Sequence, residues 1–80
     1  MEIIISKHAK KRIERYGLTE ELVKTAIMEP DEVVEGYEGT LIAHKLLNKH
    51  LLRIVYIKQD NEVKVITAYP AEKERYWRRK

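Results

Sequence analysis

The chain predicts an α+β domain in which two N-terminal helices pack on a mainly antiparallel sheet of about four strands, followed by a short C-terminal helix. Three observations carry that expectation. Leu51-Leu52-Arg53-Ile54-Val55-Tyr56-Ile57 is apolar at six of seven positions and does not alternate, which marks a strand covered on both faces and therefore a central one. Leu41 to Leu47 precedes it across Asn48-Lys49, and Val63 to Tyr69 follows it across Asp60-Asn61. Connections of two residues that include Asn suit tight hairpins, so the three segments read as an antiparallel meander. Two stretches of helical periodicity come before them.

Taken in order, Ile3-Ile4-Ile5 is a short β-branched run fit for an edge strand. Ser6 caps a helix from Lys7 to Tyr16 in which Ala9, Ile13 and Tyr16 share one face, and Gly17 follows where a left-handed terminating residue is needed. His8, Arg12 and Arg15, spaced i, i+4 and i+7, line one border of that face. A basic stripe should thus run beside the seam between helix and sheet. Thr19 opens a second helix, with Glu20 and Glu21 favoured by its dipole in the first turn. Leu22, Val23, Ala26 and Ile27 form its buried face, and Pro30 ends it. Asp31 to Glu35 suits a strand, and Gly36-Tyr37-Glu38-Gly39 a loop. Because a proline keeps the preceding residue extended and suits a helix start, Tyr69-Pro70 predicts that the last strand stops at Tyr69 and that a helix runs from Ala71 to Lys80.

With 80 residues the chain makes one domain, burying roughly 60–65% of its unfolded surface. There are no cysteines, which excludes disulfides and thiolate metal sites. Together with an apolar start too short for a signal peptide or membrane span, this predicts a cytoplasmic location. The net charge is +3, but its distribution says more. Lys7, Lys10, Lys11, Arg12 and Arg15 face only Glu14, and Lys73, Arg75, Arg78, Arg79 and Lys80 face two glutamates. Between Glu20 and Glu38 seven acidic residues accompany Lys24 alone. Basic ends suit a polyanion, and the acidic flank suits a basic partner or repels the same polyanion.

His8, His44 and His50 form no i, i+4 pair, so no metal site is expected, and neither is a cofactor. Ser6 is the only serine, which disfavours nucleophilic triads. What remains is cations, histidines and tyrosines. That set suits cleavage of RNA by its own 2′-hydroxyl, where the protein supplies an acid–base group, an acid for the leaving oxygen and positive charge for the phosphorane. His8 is the candidate acid–base group, with His44 an open alternative because strand register is not fixed by sequence. Arg12 and Arg53 would clamp the phosphate, and Tyr69 would donate a proton or stack on a base. Lys7, Lys11, Arg15, His44, Arg75, Arg78 and Arg79 are the candidate nucleic-acid contacts. Arg53 itself must either meet a carboxylate or point into an open, anion-accepting place.

The segment SKHAKKRIERYGLTEELVKTAIMEPDEVVE, with its Ser-x-His-Ala-x-x-Arg start and Pro-Asp-x-Val strand, resembles a family of small bacterial and archaeal domains grouped with the RelE/ParE and BrnT-type toxins. LLRIVYI and VKVITAYP resemble that family's later strands, and ITAYPAEKERYW resembles the BrnT ending. The resemblance spans almost the whole chain and implies a single RelE-like domain over residues 1–80. It implies an mRNA-cleaving toxin, acting on RNA that includes ribosome-bound mRNA and held in check by an antitoxin protein. The matching positions are His8, Arg12, Arg53 and Tyr69. Where the family keeps Arg-Gly at the first helix end, this chain has Tyr16-Gly17, which leaves the charge there to Arg15. From another class, the same basic surface suits a non-catalytic module binding nucleic acid or protein, or a domain that self-associates through its bipolar charge.

Overall fold

A computed structural model describes residues 1–77. It contains β1 (Glu2–Ile5), α1 (Lys7–Arg15), α2 (Glu20–Met28), β2 (Glu32–Glu35), a single 3-10 turn (Tyr37–Gly39), β3 (Leu41–Leu47), β4 (His50–Gln59), β5 (Glu62–Glu72) and α3 (Lys73–Tyr76). The five strands form one mixed sheet in the order β1-β5-β4-β3-β2. β4 is the middle strand. β2, β3, β4 and β5 pair antiparallel, while β1 lies parallel to β5 and covers only its residues 62–65. The expected α+β layout is present with one strand more than the four expected, because the Ile3-Ile4-Ile5 run joins the sheet edge.

Leu52, Ile54 and Tyr56 of β4, Ala43 of β3 and Val63, Val65 and Ala68 of β5 form the core with Ala9 and Ile13 of α1 and Val23, Ala26 and Ile27 of α2. Both long helices therefore cover one sheet face. Each fully buried valine, leucine or isoleucine of this set contributes about 1.5–3 kcal/mol. The helices start where their caps require. Ser6 Oγ accepts from the Ala9 N–H at 3.1 Å, and Thr19 Oγ1 accepts from the Leu22 N–H at 3.0 Å. Gly17, at φ +68°, turns the chain out of α1. In the tight connections the positive φ falls on Asn48 (45°) and on Asp60 (53°).

Two expectations at the C-terminal end are corrected. β5 does not stop at Tyr69 but runs to Glu72, with Pro70 opposite Leu52. A proline is tolerated there because β1 has ended and this half of β5 is a sheet edge, where a missing N–H breaks no ladder. The C-terminal helix is consequently one turn, Lys73–Tyr76, and Trp77 is already extended. The rest of the predicted helix, with Arg78 and Arg79, lies outside the described residues. Among the described residues no helix is long and apolar enough to cross a membrane.

Candidate functional site

Where β1 ends, Ser6 joins the helix to the last strand. Its N–H donates to the Val65 carbonyl at 3.1 Å and its hydroxyl to the Ile66 carbonyl, also at 3.1 Å. One side chain thus caps α1 and fastens it to β5. A bulge follows at once: Val55 faces Thr67 while Tyr56 faces Val65, which leaves Ile66 as the extra residue. The bulge turns Thr67 and Tyr69 away from the helix-covered face, toward the outer side of the β5 rim. The polar border of α1 and these outward residues enclose a groove of about 290 Å³, lined by His8, Arg12, Tyr16, Thr67 and Tyr69. Three of the four candidate catalytic residues therefore share one concavity. His8 is exposed, while Arg12 and Tyr69 are half-buried.

Arg53, the fourth, does not line this groove. It lies on the sheet face that carries no long helix, in a row that crosses four strands: Glu32, His44, Arg53 and Tyr69 are successive cross-strand partners. Directly opposite residues share a face, so these side chains are neighbours. Arg53 is 9% exposed and meets neither of the surroundings the sequence suggested. Its guanidinium is flanked by rings, with Cζ 3.7 Å from the centre of Tyr76 and 5.7 Å from that of Tyr69. Its Nε, sealed from water, has no hydrogen-bond partner among the described residues. Cation–π contact returns about 0.5–2 kcal/mol per ring. Burying a permanent cation costs several kcal/mol, so the rings offset only part of it. A residue retained at such a cost is a candidate for function.

His44, expected among the nucleic-acid contacts, is placed inside the sheet and not on its surface. It is 1% exposed, because β3 is an interior strand and the residue sits between Glu32 and Arg53. Its Nδ1 donates to Glu32 Oε1 at 2.7 Å, and its Nε2, like Arg53 Nε, is buried without a partner. The groove holds His8 and not His44. Lys7, Lys11 and Arg15 are exposed on α1 beside the groove, and Arg75 is exposed on α3 with its Cζ 5.6 Å from the Tyr76 ring. The acidic segment lies mostly on α2 and β2, at the opposite sheet edge from α1's strand partner β5. Among the described residues no group of three or more His, Asp or Glu side chains could hold a metal ion.

Sequence reasoning misses Tyr16, Thr67 and Tyr76. Helical spacing puts Tyr16 on the core face of α1, yet it is 42% exposed at the groove. Thr67 reaches the groove through the bulge, and no sequence signal marks that bulge. Tyr76 stands seven residues beyond Tyr69, and only the extension of β5 past Pro70 reveals that it returns over Arg53.

No curated protein and no solved structure matches the chain. Residues 5–70, a span that holds all the groove residues and ends before α3, match the model of a family described as a domain of unknown function (DUF4258); the chain belongs to that family.

Proposed function

We propose that the protein is a RelE-like, toxin-type endoribonuclease that cleaves single-stranded RNA without a metal, at the groove between α1 and β5. The observation that carries this reading is the meeting of His8, Arg12 and Tyr69 in one groove beside a basic helix. Each has a role its chemistry permits. The His8 imidazole takes the proton of the substrate 2′-hydroxyl as its oxygen attacks the adjacent phosphorus. Arg12 presents paired N–H donors to the phosphorane oxygens as charge builds on them. The bond from phosphorus to the 5′-oxygen then breaks, Tyr69 gives that oxygen a proton, and a 2′,3′-cyclic phosphate remains. Tyr16 offers a ring on which a flanking base stacks. An antitoxin would silence such a groove by laying an acidic or amphipathic segment along α1.

A second reading, nucleic-acid binding without turnover, is favoured by the absence of Arg53 from the groove lining, which leaves Arg12 as the one arginine there among the described residues. One experiment separates the two. The pure protein is incubated with RNA in EDTA and the products are examined for 2′,3′-cyclic phosphate ends. The nuclease produces them, and His8→Ala lowers the rate by about 10²–10⁴-fold, the usual worth of a positioned acid–base group. Intact RNA that is retained in a salt-sensitive complex shows the binding module instead.

A further inference from the structure

The guanidinium of Arg53 is stacked on its faces and unsatisfied at its edge. Rings satisfy the π-face of the group, but its N–H donors lie in the guanidinium plane and require acceptors there. Among the described residues no carboxylate pairs with it, and Nε is buried without a partner. Directly across the ladder, the Nε2 of His44 is buried and unpartnered as well, while Glu32 holds the ring from the other side. With Nδ1 as its donor, the His44 ring presents a lone pair at Nε2, so the donor left without an acceptor is the Arg53 Nε–H, and an anion oxygen in the guanidinium plane is what would satisfy it.

What covers Arg53 is weakly built. α3 is one turn with no side-chain cap and no buried residue, and its internal hydrogen bond runs from the Trp77 N–H to the Lys73 carbonyl at 2.9 Å. A single turn has no stability of its own in water. α3 lies on β4 and β5 with side chains no more than half-buried, and Tyr76 stacks upon Arg53 with 3.7 Å from Cζ to ring centre. Tyr69 touches both places, since it flanks Arg53 and lines the groove.

We propose that α3 is a displaceable cover over a second phosphate position, centred on Arg53 and continuous with the groove through Tyr69. When the turn lifts, a phosphodiester of single-stranded RNA takes the edge donors of Arg53, and the freed tyrosine rings become available to bases. The ligand is nucleic acid rather than a free small anion because Tyr69 and the cations of α1 continue the position for more than one nucleotide. The inference rests on the groove as the RNA site, but it requires binding only and not cleavage.

The probe is a fluorescent oligouridylate with 2′-O-methyl riboses, which has no free 2′-hydroxyl to attack with. Tyr76→Ala binds it several-fold more tightly than the wild type, and the dependence of log affinity on log salt steepens by about 0.7, the increment for one further phosphate on a single strand. Tyr76→Phe, which keeps the ring, matches the wild type. Adding Arg53→Gln to Tyr76→Ala abolishes the gain. The wild type supplies a control that depends on no variant folding: its single tryptophan, Trp77, adjoins Tyr76, so its emission shifts to longer wavelength as the oligomer saturates. Equal affinity of wild type and Tyr76→Ala, a gain that survives Arg53→Gln, no binding by either protein, or a Trp77 spectrum unmoved or shifted to shorter wavelength at saturation each overturns the cover. Failure of the nuclease reading looks different, as uncut RNA whatever the affinities.

Discussion

Arg53 is where stability and function pull apart. A permanently charged group, nine-tenths buried and, among the described residues, held only by rings, is an energetic burden on a domain of this size. Arg53→Met, which fills a similar volume without charge, is expected to raise stability by about 1–4 kcal/mol in urea denaturation. The same substitution should cancel the RNA affinity gained by Tyr76→Ala. A drop in stability would mean that the tyrosine stacks outweigh desolvation. Tyr56 illustrates the simpler case of a buried polar group on the helix-covered face. Burial pushes its phenol above the ordinary value of 10.0, so the folded protein holds that proton more firmly than the unfolded chain does. Its contribution is complete below the unfolded pKa and is lost as pH rises through the alkaline range toward the folded one. Tyr56→Phe should therefore flatten the decline of thermal stability above pH 10, measured against wild type across the same pH series.

At the level of elements, Ser6 joins the fold to the groove. It closes α1 by accepting from Ala9 and ties the helix to β5 by donating to Ile66. Ser6→Ala removes both bonds and is expected to cost about 1–2 kcal/mol in chemical denaturation, with a larger proportional loss of the proposed RNA cleavage because His8 stands two residues from the joint. Much of this level was legible in the residues themselves. The run at Leu51–Ile57 announced the middle strand because nothing in it alternates, and the spacing of Ala9 and Ile13 located the border on which His8 and Arg12 stand. Pairings over long sequence distance were not legible. Nothing local shows that Ile3 lies beside Val63, or that a bulge at Ile66 turns Thr67 outward. Pro70 misled for a related reason: its local meaning is to end a strand, and that meaning lapses on an edge left open by a short neighbour. The side of the sheet taken by Arg53 was hidden by the very feature that identified its strand, since a run without alternation does not show which face a misfit occupies.

For the molecule as a whole, charge is sorted across the sheet, with cations on α1 beside β5 and carboxylates on α2 and β2 toward the far edge. A polyanion such as the proposed RNA should therefore be steered to one side, and its affinity should fall steeply with salt. Lys7→Glu with Lys11→Glu is expected to weaken binding and to flatten the salt slope by about 0.7 for each phosphate that the protein no longer neutralises. Glu20→Gln with Glu21→Gln should leave the slope unchanged. The parallel seat of β1 on β5 carries a further consequence, for the order of assembly. Residues 2–5 are made well before their partners, residues 62–65, and the carbonyl that anchors the Ser6 hydroxyl belongs to Ile66. During synthesis the first helix therefore has no anchor until β5 has emerged as well, and a nascent chain short of that strand carries no finished groove.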